Sequence, residues 1–365
     1  MKVLFVNNFR GRGGGEEFLR DLLPGLVAKG VKVGLVCRPG TPLVEMFRNS
    51  EIKLHPIERP NGLRGIRTVK ETARVIREEG YELIDIQRGH DIVQAWIAAW
   101  IAGTKPLLMY TPQVPQFSKY RFLLSRMQYI VTISRHIRDK LITYIPRMTD
   151  RTSIIYYGID LDKFSRAHVP RGVLRKRLNL SPGTRIIGTV GDLWKNQIEF
   201  LDALLLIRRT IPDARFALVA SDSGIGQVKE FKDRAAQLGL SDAVVWCGRL
   251  SKEEMLSFYA DIDIAVCTHR NEGFGIWVLE ALSMGTLVIA FDAGGVRDSL
   301  ENCPAGKLVP DTDALAAEIT KVLTNDVLRQ RMSAAGPLWT RERFARDRMV
   351  TDYFNFFTAI LARKG

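Results

Sequence analysis

The residues with most to say about chemistry are two glutamates. Glu272 and Glu280 stand with seven residues between them, and the first is followed at once by Gly273-Phe274-Gly275. A second glycine pair, Gly294-Gly295, comes shortly after. Carboxylates accept hydrogen bonds from hydroxyl groups, and glycines let a backbone come close to a ligand. If a helix begins at Ile276, the N–H groups of its first turn have no partner within the helix and face negative charge. Two hydroxylated rings flanking a diphosphate would need acceptors spaced in this way, with the phosphates at the helix N-terminus. Taken alone, either glutamate reads better as an ordinary helix-favouring or solvated acid. Together with EGFG and the GG turn, the pair reads as a ligand site.

The elements needed to hold such a site are legible around it. Ile262 to Val266 is an apolar run bounded by polar residues, the pattern of a buried strand. The glycine turn follows, then a helix from Ile276 to Met284 stopped by Gly285, then a second buried strand from Thr286 to Phe291. Strand, glycine turn, helix, strand is the unit of a parallel sheet. Further strands are predicted at Val3 to Asn7, Val31 to Cys37, Leu83 to Ile86, Lys105 to Tyr110, Ile130 to Ile133, Arg185 to Val190, Arg215 to Ala220 and Val244 to Trp246. A helix is predicted from Glu16 to Ala28, and the chain from Asp313 onward reads as helical. In the loop Arg10 to Gly15, a dinucleotide-binding G-x-G-x-x-G fails, because Glu16 occupies the third glycine position, and the second strand ends in Arg38 without the ribose-binding acid.

The run E-G-F-G-x-x-x-L-E-A-x-x-x-G, followed by V-I-A-x-D-A-G-G, resembles the E-x7-E region of glycosyltransferase family 4. Members of that family are retaining, nucleotide-sugar-dependent enzymes of the GT-B fold. The resemblance implies an α/β protein of two Rossmann-like parallel-sheet domains facing a cleft. On that pattern residues 1–165 would form the acceptor domain and residues 166–345 the donor domain, with a helix at 346–365 crossing back to the first. It assigns Glu272 to the hydroxyls of the donor sugar and Glu280 to the ribose. GDLWKN resembles the family's G-R-L-x-x-K turn, so Gly191, Asp192 and Lys195 would meet the diphosphate, with Asp192 standing where the family has arginine. Gly273, Phe274, Gly275 and Ile276 form the helix N-terminus, and Gly13, Gly14 and Gly15 match a glycine loop over the donor phosphates. Arg249 lies where the family meets the nucleotide base, as a phosphate or base contact or as a surface arginine. His90 lies at a strand end where the family often carries histidine; a role orienting donor or acceptor groups and a structural role stay open. The chain departs from the family pattern at Thr111-Pro112-Gln113, where a histidine is common, and at Tyr157, where asparagine is common. The reaction implied is transfer of a hexosyl or related group to an acceptor hydroxyl with retention, independent of metal and of any cofactor beyond the nucleoside-diphosphate sugar.

Length and composition agree with two globular domains: 365 residues, 46% hydrophobic and 25% charged, with no repeat or low-complexity tract. The four cysteines are scattered without a C-x-x-C pair, which suits buried free thiols in a reducing cytoplasm. The apolar stretch from Ile92 to Ala102 is too short to span a bilayer. A net charge of +13 fits nucleic acid, an anionic membrane surface or general solubility. No RNA-binding signature, zinc spacing or basic tail supports nucleic acid. The helical pattern over Ile66 to Ile76 separates Ile66, Val69, Ala73 and Ile76 from Arg67, Lys70, Arg74 and Arg77, and Phe117 to Tyr129 interleaves Lys119, Arg121 and Arg126 with aromatic and apolar residues. Two segments, Arg59 to Arg77 and Phe117 to Tyr129, thus suggest peripheral attachment to the inner face of a membrane and a lipid-linked, glycan or lipopolysaccharide-type acceptor. For each segment taken alone, an amphipathic helix packed on its own sheet with a solvated basic face fits equally well. A nucleotide-sugar epimerase or hydrolase of the same fold, and a non-enzymatic basic protein with a degenerate sugar site, remain alternatives.

Overall fold

A computed structural model describes residues 1–11, 13–59, 64–117, 120–170, 172–221 and 225–364. The chain divides into two compact units, Met1–Gly158 with Arg346–Gly365, and Ile159–Ala345. Unit 1 is built on strands β1 (Lys2–Asn7), β2 (Lys32–Cys37), β3 (Lys53–Pro56), β4 (Leu83–Ile86), β5 (Leu107–Tyr110), β6 (Tyr129–Thr132) and β7 (Thr152–Ile154). Among the described residues they form one sheet in the order β3-β2-β1-β4-β5-β6-β7, with parallel pairings such as Val3 with Val33 and with Leu83. Unit 2 carries β8 (Ile186–Val190), β9 (Arg215–Val219), β10 (Val244–Trp246), β11 (Ile264–Cys267), β12 (Leu287–Phe291) and β13 (Gly306–Val309), ordered β10-β9-β8-β11-β12-β13. Its pairings are parallel as well, Ile264 meeting Ile187 on one side and Leu287 on the other. In each sheet the chain works outward in one direction and then returns to build the other side. The reversal falls between β1 and β4 in unit 1 and between β8 and β11 in unit 2. Crevices beyond the carboxyl ends of such neighbouring strands are where doubly wound sheets bind ligands.

The central strands read as continuous apolar runs because parallel sheets are covered on both faces. Leu4, Phe5 and Val6 in β1, Ala265 and Val266 in β11 and the whole of β12 are buried. Three strands have no signal in the sequence: β3, β7 and β13. They are three or four residues long and include Pro56, Thr152, Ser153 and Lys307, too short and too polar to show periodicity.

Two segments behave differently from their amphipathic pattern. In the helix Arg64–Glu79, Thr68, Thr72, Ala73 and Ile76 are buried, while Ile66 is 60% exposed. Most of its apolar stripe therefore packs on unit 1. Among the described residues, the stretch from Phe117 to Tyr129 has the short helix Arg121–Leu124, and Phe117, Leu124 and Met127 are core residues. Lys119 lies outside the described residues. Ala73 and Ile76 of the first segment and Phe117, Leu124 and Met127 of the second are thus taken up by unit 1, while Ile66 and Phe122 stay exposed.

The helix Arg346–Ala362 belongs to unit 1 and buries Tyr353 and Phe357. Its rings meet Phe5, Phe18 and Tyr129 at centroid separations of 6.3, 5.7 and 5.9 Å. Val350 comes so near Gly25 that a Cβ there would lie 2.5 Å from a methyl carbon, so the two helices pack only because position 25 is glycine. Tyr157 is buried, with its ring against Phe18 and its hydroxyl donating to Asp21 at 2.6 Å. The four cysteines are free and buried. Burial pushes the thiols up to about 12 at Cys37 and Cys267, and about 11 at Cys247 and Cys303.

Two outcomes follow from this core. Phe357→Ala leaves a cavity beneath the crossing helix and should cost about 3–5 kcal/mol. An unchanged urea midpoint would show that the helix does not hold unit 1 together. In β4, Asp85 is fully buried and accepts from the Thr111 hydroxyl at 2.8 Å; burial raises its pKa well above the carboxylate range. Because the folded value is the higher one, its stabilising contribution is present below the unfolded pKa of about 3.9 and declines as pH rises from there. Asp85→Asn should therefore gain stability relative to wild type as pH rises from acid to neutral. Parallel stability curves for the two proteins would contradict this.

Candidate active site

Glu272, Lys195 and the helix Ile276–Ser283 meet at the carboxyl ends of β8 and β11, the reversal point of the second sheet. The Lys195 ammonium donates to Glu272 Oε2 at 2.8 Å, although the two residues are 77 positions apart. Glu272 is only 9% exposed. Burial pushes its pKa up, but His269 and the Lys195 ammonium outweigh that and hold it at about 2. His269 Nδ1 lies 3.5 Å from Oε2, long for a hydrogen bond, so we give Lys195 the larger share. Glu272 is thus an ionised carboxylate clamped by a cation, with the backbone N–H of Gly273 on its other oxygen at 3.2 Å.

Two glycine turns make this placement possible. The Gly295 N–H donates to the Glu272 carbonyl at 2.7 Å. A Cβ on Gly295 would fall 2.0 Å from the Gly273 carbonyl oxygen, and one on Gly294 (φ +65) would fall 2.9 Å from the Glu272 nitrogen. No side chain fits between the turns. Gly275 takes φ +82 as the N-cap and lets the chain swing into the helix. Ile276 opens that helix, whereas the Phe274 side chain is buried against Phe344 at 5.9 Å, which leaves only its backbone for a ligand.

Glu280 lies on the same helix and accepts from the buried Tyr259 hydroxyl at 2.7 Å, which fixes one of its oxygens. Gly191 (φ +137) leaves room for the Lys195 side chain, since a Cβ there would lie 2.9 Å from Lys195 Cδ. Asp192 accepts from the Ser221 N–H at 3.0 Å and from its hydroxyl at 2.6 Å. The aspartate that stands in for arginine therefore pins its loop to the end of β9. Arg249 is exposed in the turn after β10.

The remaining predicted residues belong to unit 1, at its own reversal point. Gly13 caps the helix Gly14–Ala28, and its carbonyl accepts from the N–H groups of Glu16 and Glu17. Gly15 lies against the Arg88 guanidinium, where a Cβ would stand 3.0 Å from a nitrogen. His90 is about three-quarters buried, 3.4 Å from Asp91. Burial, with Arg59 and Arg88 nearby, lowers its pKa to about 4, so it is a neutral imidazole.

Several residues of consequence had no signal in the sequence. Buried Glu16 pairs with Arg88 and accepts from Asn7 at 3.0 Å, and Asn8 binds Asp91 through backbone and side chain. His269 and Trp194 flank the Lys195–Glu272 pair, with their rings edge to face at 5.3 Å and Trp194 57% exposed. His269, three residues ahead of Glu272, was the one that spacing could have flagged.

The model described as "Glycosyltransferase Family 4" matches residues 12–163, and that described as "Glycosyl transferases group 1" matches residues 171–339. The chain is 26% identical over 201 residues to a D-inositol 3-phosphate glycosyltransferase of Mycolicibacterium gilvum, covering 54% of this chain and 45% of that protein. It is 29% identical over 197 residues to the protein of that name from Corynebacterium urealyticum, covering 51% and 46%. It thus spans about half the length of these curated relatives. Among solved structures, Anabaena Alr3699/HepE in complex with UDP and glucose superposes with a TM-score of 0.83 at 21% identity, over 98% of this chain and 100% of that one. A glycosyltransferase from Rickettsia africae gives 0.84 at 18% identity, over 99% and 98%. The likeness to these structures is one of fold; the two sequence models, which between them match residues 12–163 and 171–339, place the chain in glycosyltransferase family 4.

Proposed function

We propose that the protein transfers a sugar from a nucleoside-diphosphate sugar to an acceptor hydroxyl with retention of configuration. The observation that carries this reading is the ionised Glu272, held by Lys195 beside the open N-terminus of the helix Ile276–Ser283. Glu272 takes the hydroxyls of the donor sugar, and Glu280, steadied by Tyr259, takes the ribose. Lys195 and the helix N–H groups receive the charge that develops on the leaving diphosphate, the role a metal ion plays elsewhere. The sugar–phosphate bond breaks as the bond from the acceptor oxygen forms on the same face of the ring, and the acceptor proton passes to the departing phosphate. The reaction takes place without a metal ion or added cofactor. The UDP and UDP-glucose complexes of the Anabaena HepE protein make UDP-sugars the first donors to try. A lipid-linked, glycan or lipopolysaccharide-type acceptor on the cytoplasmic side fits the basic character of unit 1.

Glu280→Gln should weaken binding of the free nucleoside diphosphate, whereas Glu272→Gln should spare it and damage turnover of the sugar nucleotide. Calorimetric titration of both variants with UDP, GDP and ADP separates the roles, and equal losses in both would defeat the assignment. Lys195→Ala should lower turnover by about 10²–10³, the usual cost of one charge-stabilising donor. Loss of activity in EDTA that magnesium or manganese restores would overturn the metal-free mechanism. Release of nucleoside diphosphate without an acceptor would favour a hydrolase.

A further inference from the structure

The net positive charge of this protein is confined to one unit. Unit 1 holds 29 lysines and arginines against 16 aspartates and glutamates, while unit 2 holds 24 of each, so the whole excess of +13 lies in unit 1. The same unit carries an unusual helix, Ile92–Ala102, with sequence IVQAWIAAWIA and no charged residue. Its inner face is made of Ile92, Gln94 and four alanines, all buried. On its outer face Val93 is 43%, Trp96 36%, Trp100 78% and Ile101 37% exposed. Positions 93, 96, 100 and 101 share one helical face. Water-facing tryptophans on a helix without a charge need a partner to explain them.

The surroundings say what kind of partner. The neighbouring helices Arg64–Glu79 and Arg121–Leu124 both touch Ile92–Ala102. They add exposed Ile66 and Phe122 together with exposed Arg67, Lys70 and Arg121. Beside Phe122 is a recess of about 490 Å³ with Arg121 and Arg147 in its wall and Ile145 and Pro146 in its lining. Two other basic residues of the region are committed elsewhere. Arg74 pairs with Glu78, and Arg77 donates to the carbonyls of Ile101 and Ala102. Glu71 is also exposed, but the remaining exposed charge is mainly positive. A second copy of so basic a unit would be repelled, whereas anionic headgroups beneath inserted tryptophans would be attracted.

We propose that unit 1 docks on an anionic lipid bilayer through the outer face of the helix Ile92–Ala102, with Arg67, Lys70, Arg121 and Arg147 meeting the headgroup phosphates. Trp96 and Trp100 enter the interfacial layer, where indole rings are favoured. Each of the four cations multiplies binding roughly fivefold at low salt. The docking is independent of the donor assignment, so it stands or falls separately from the transferase reading.

The test is co-sedimentation of the full chain with vesicles of phosphatidylcholine alone or containing phosphatidylserine, with tryptophan emission recorded in parallel. Wild type should bind the anionic vesicles with a blue shift and release at high salt. The double variant Trp96→Ser and Trp100→Ser, both at exposed positions, should lose the shift and about tenfold in binding. Arg67→Gln with Lys70→Gln and Arg121→Gln should lose binding while keeping the urea midpoint of wild type. Failure of wild type to bind anionic vesicles at low salt overturns the proposal, as does unchanged binding by the double tryptophan variant. Concentration-dependent dimerisation lost in that variant would assign the face to self-association instead.

Discussion

The candidate site of unit 2 rests on a backbone contact that excludes any side chain. Gly294 and Gly295, after β12, lie directly on the backbone of Glu272 and Gly273, after β11. That contact decides where the Glu272 carboxylate stands, and from there the Lys195 contact and the start of the helix follow. A loop tip is ordinarily mobile. Here the loop is held on one side by the glycine turn after β12 and on the other by an ammonium from the loop after β8, the strand on the other side of β11. The carboxylate is therefore positioned before any ligand arrives, and pre-organisation of this kind is what electrostatic catalysis requires.

Unit 1 uses a related device with different residues. At its reversal point Glu16, from the helix after β1, meets Arg88, from the loop after β4, with Asn7, Asn8 and Asp91 around them. In both units a carboxylate and a cation from the two halves of the sheet close on each other where strand order reverses. Pairs like these are weak sources of net stability, since desolvation offsets most of the attraction, but losing one partner leaves an uncompensated charge. Their value lies in fixing the loops that border the crevice.

What the sequence disclosed, and what it hid, divides along physical lines. The β11–helix–β12 unit was legible because buried parallel strands read as unbroken apolar runs and because Gly275 and Gly285 punctuate the helix. The edge strands β3, β7 and β13 were hidden because a few polar residues at the rim of a sheet carry no period. Glu272 and Lys195 were legible as motif members, but the bond between them was not, because it joins loops 77 residues apart. The amphipathic pattern over Ile66 to Ile76 was real, yet periodicity does not say whether an apolar stripe faces water or a neighbouring helix. Ile92 to Ala102 gave the opposite difficulty: a helix apolar all round shows no preferred face until its neighbours are in place. Asp192 and Tyr157 depart from the family pattern, and each is absorbed locally, one by Ser221 and the other by Asp21.

The four buried cysteines have a practical consequence. With their thiols held near 11 or 12 and shielded from solvent, almost none is present as the nucleophilic thiolate under ordinary conditions. The wild-type chain should accordingly react slowly with maleimides and with oxidants. A single cysteine introduced on the surface would carry a fluorophore or spin label without removal of the native ones. Distances between the two units could then be followed in the otherwise unaltered protein.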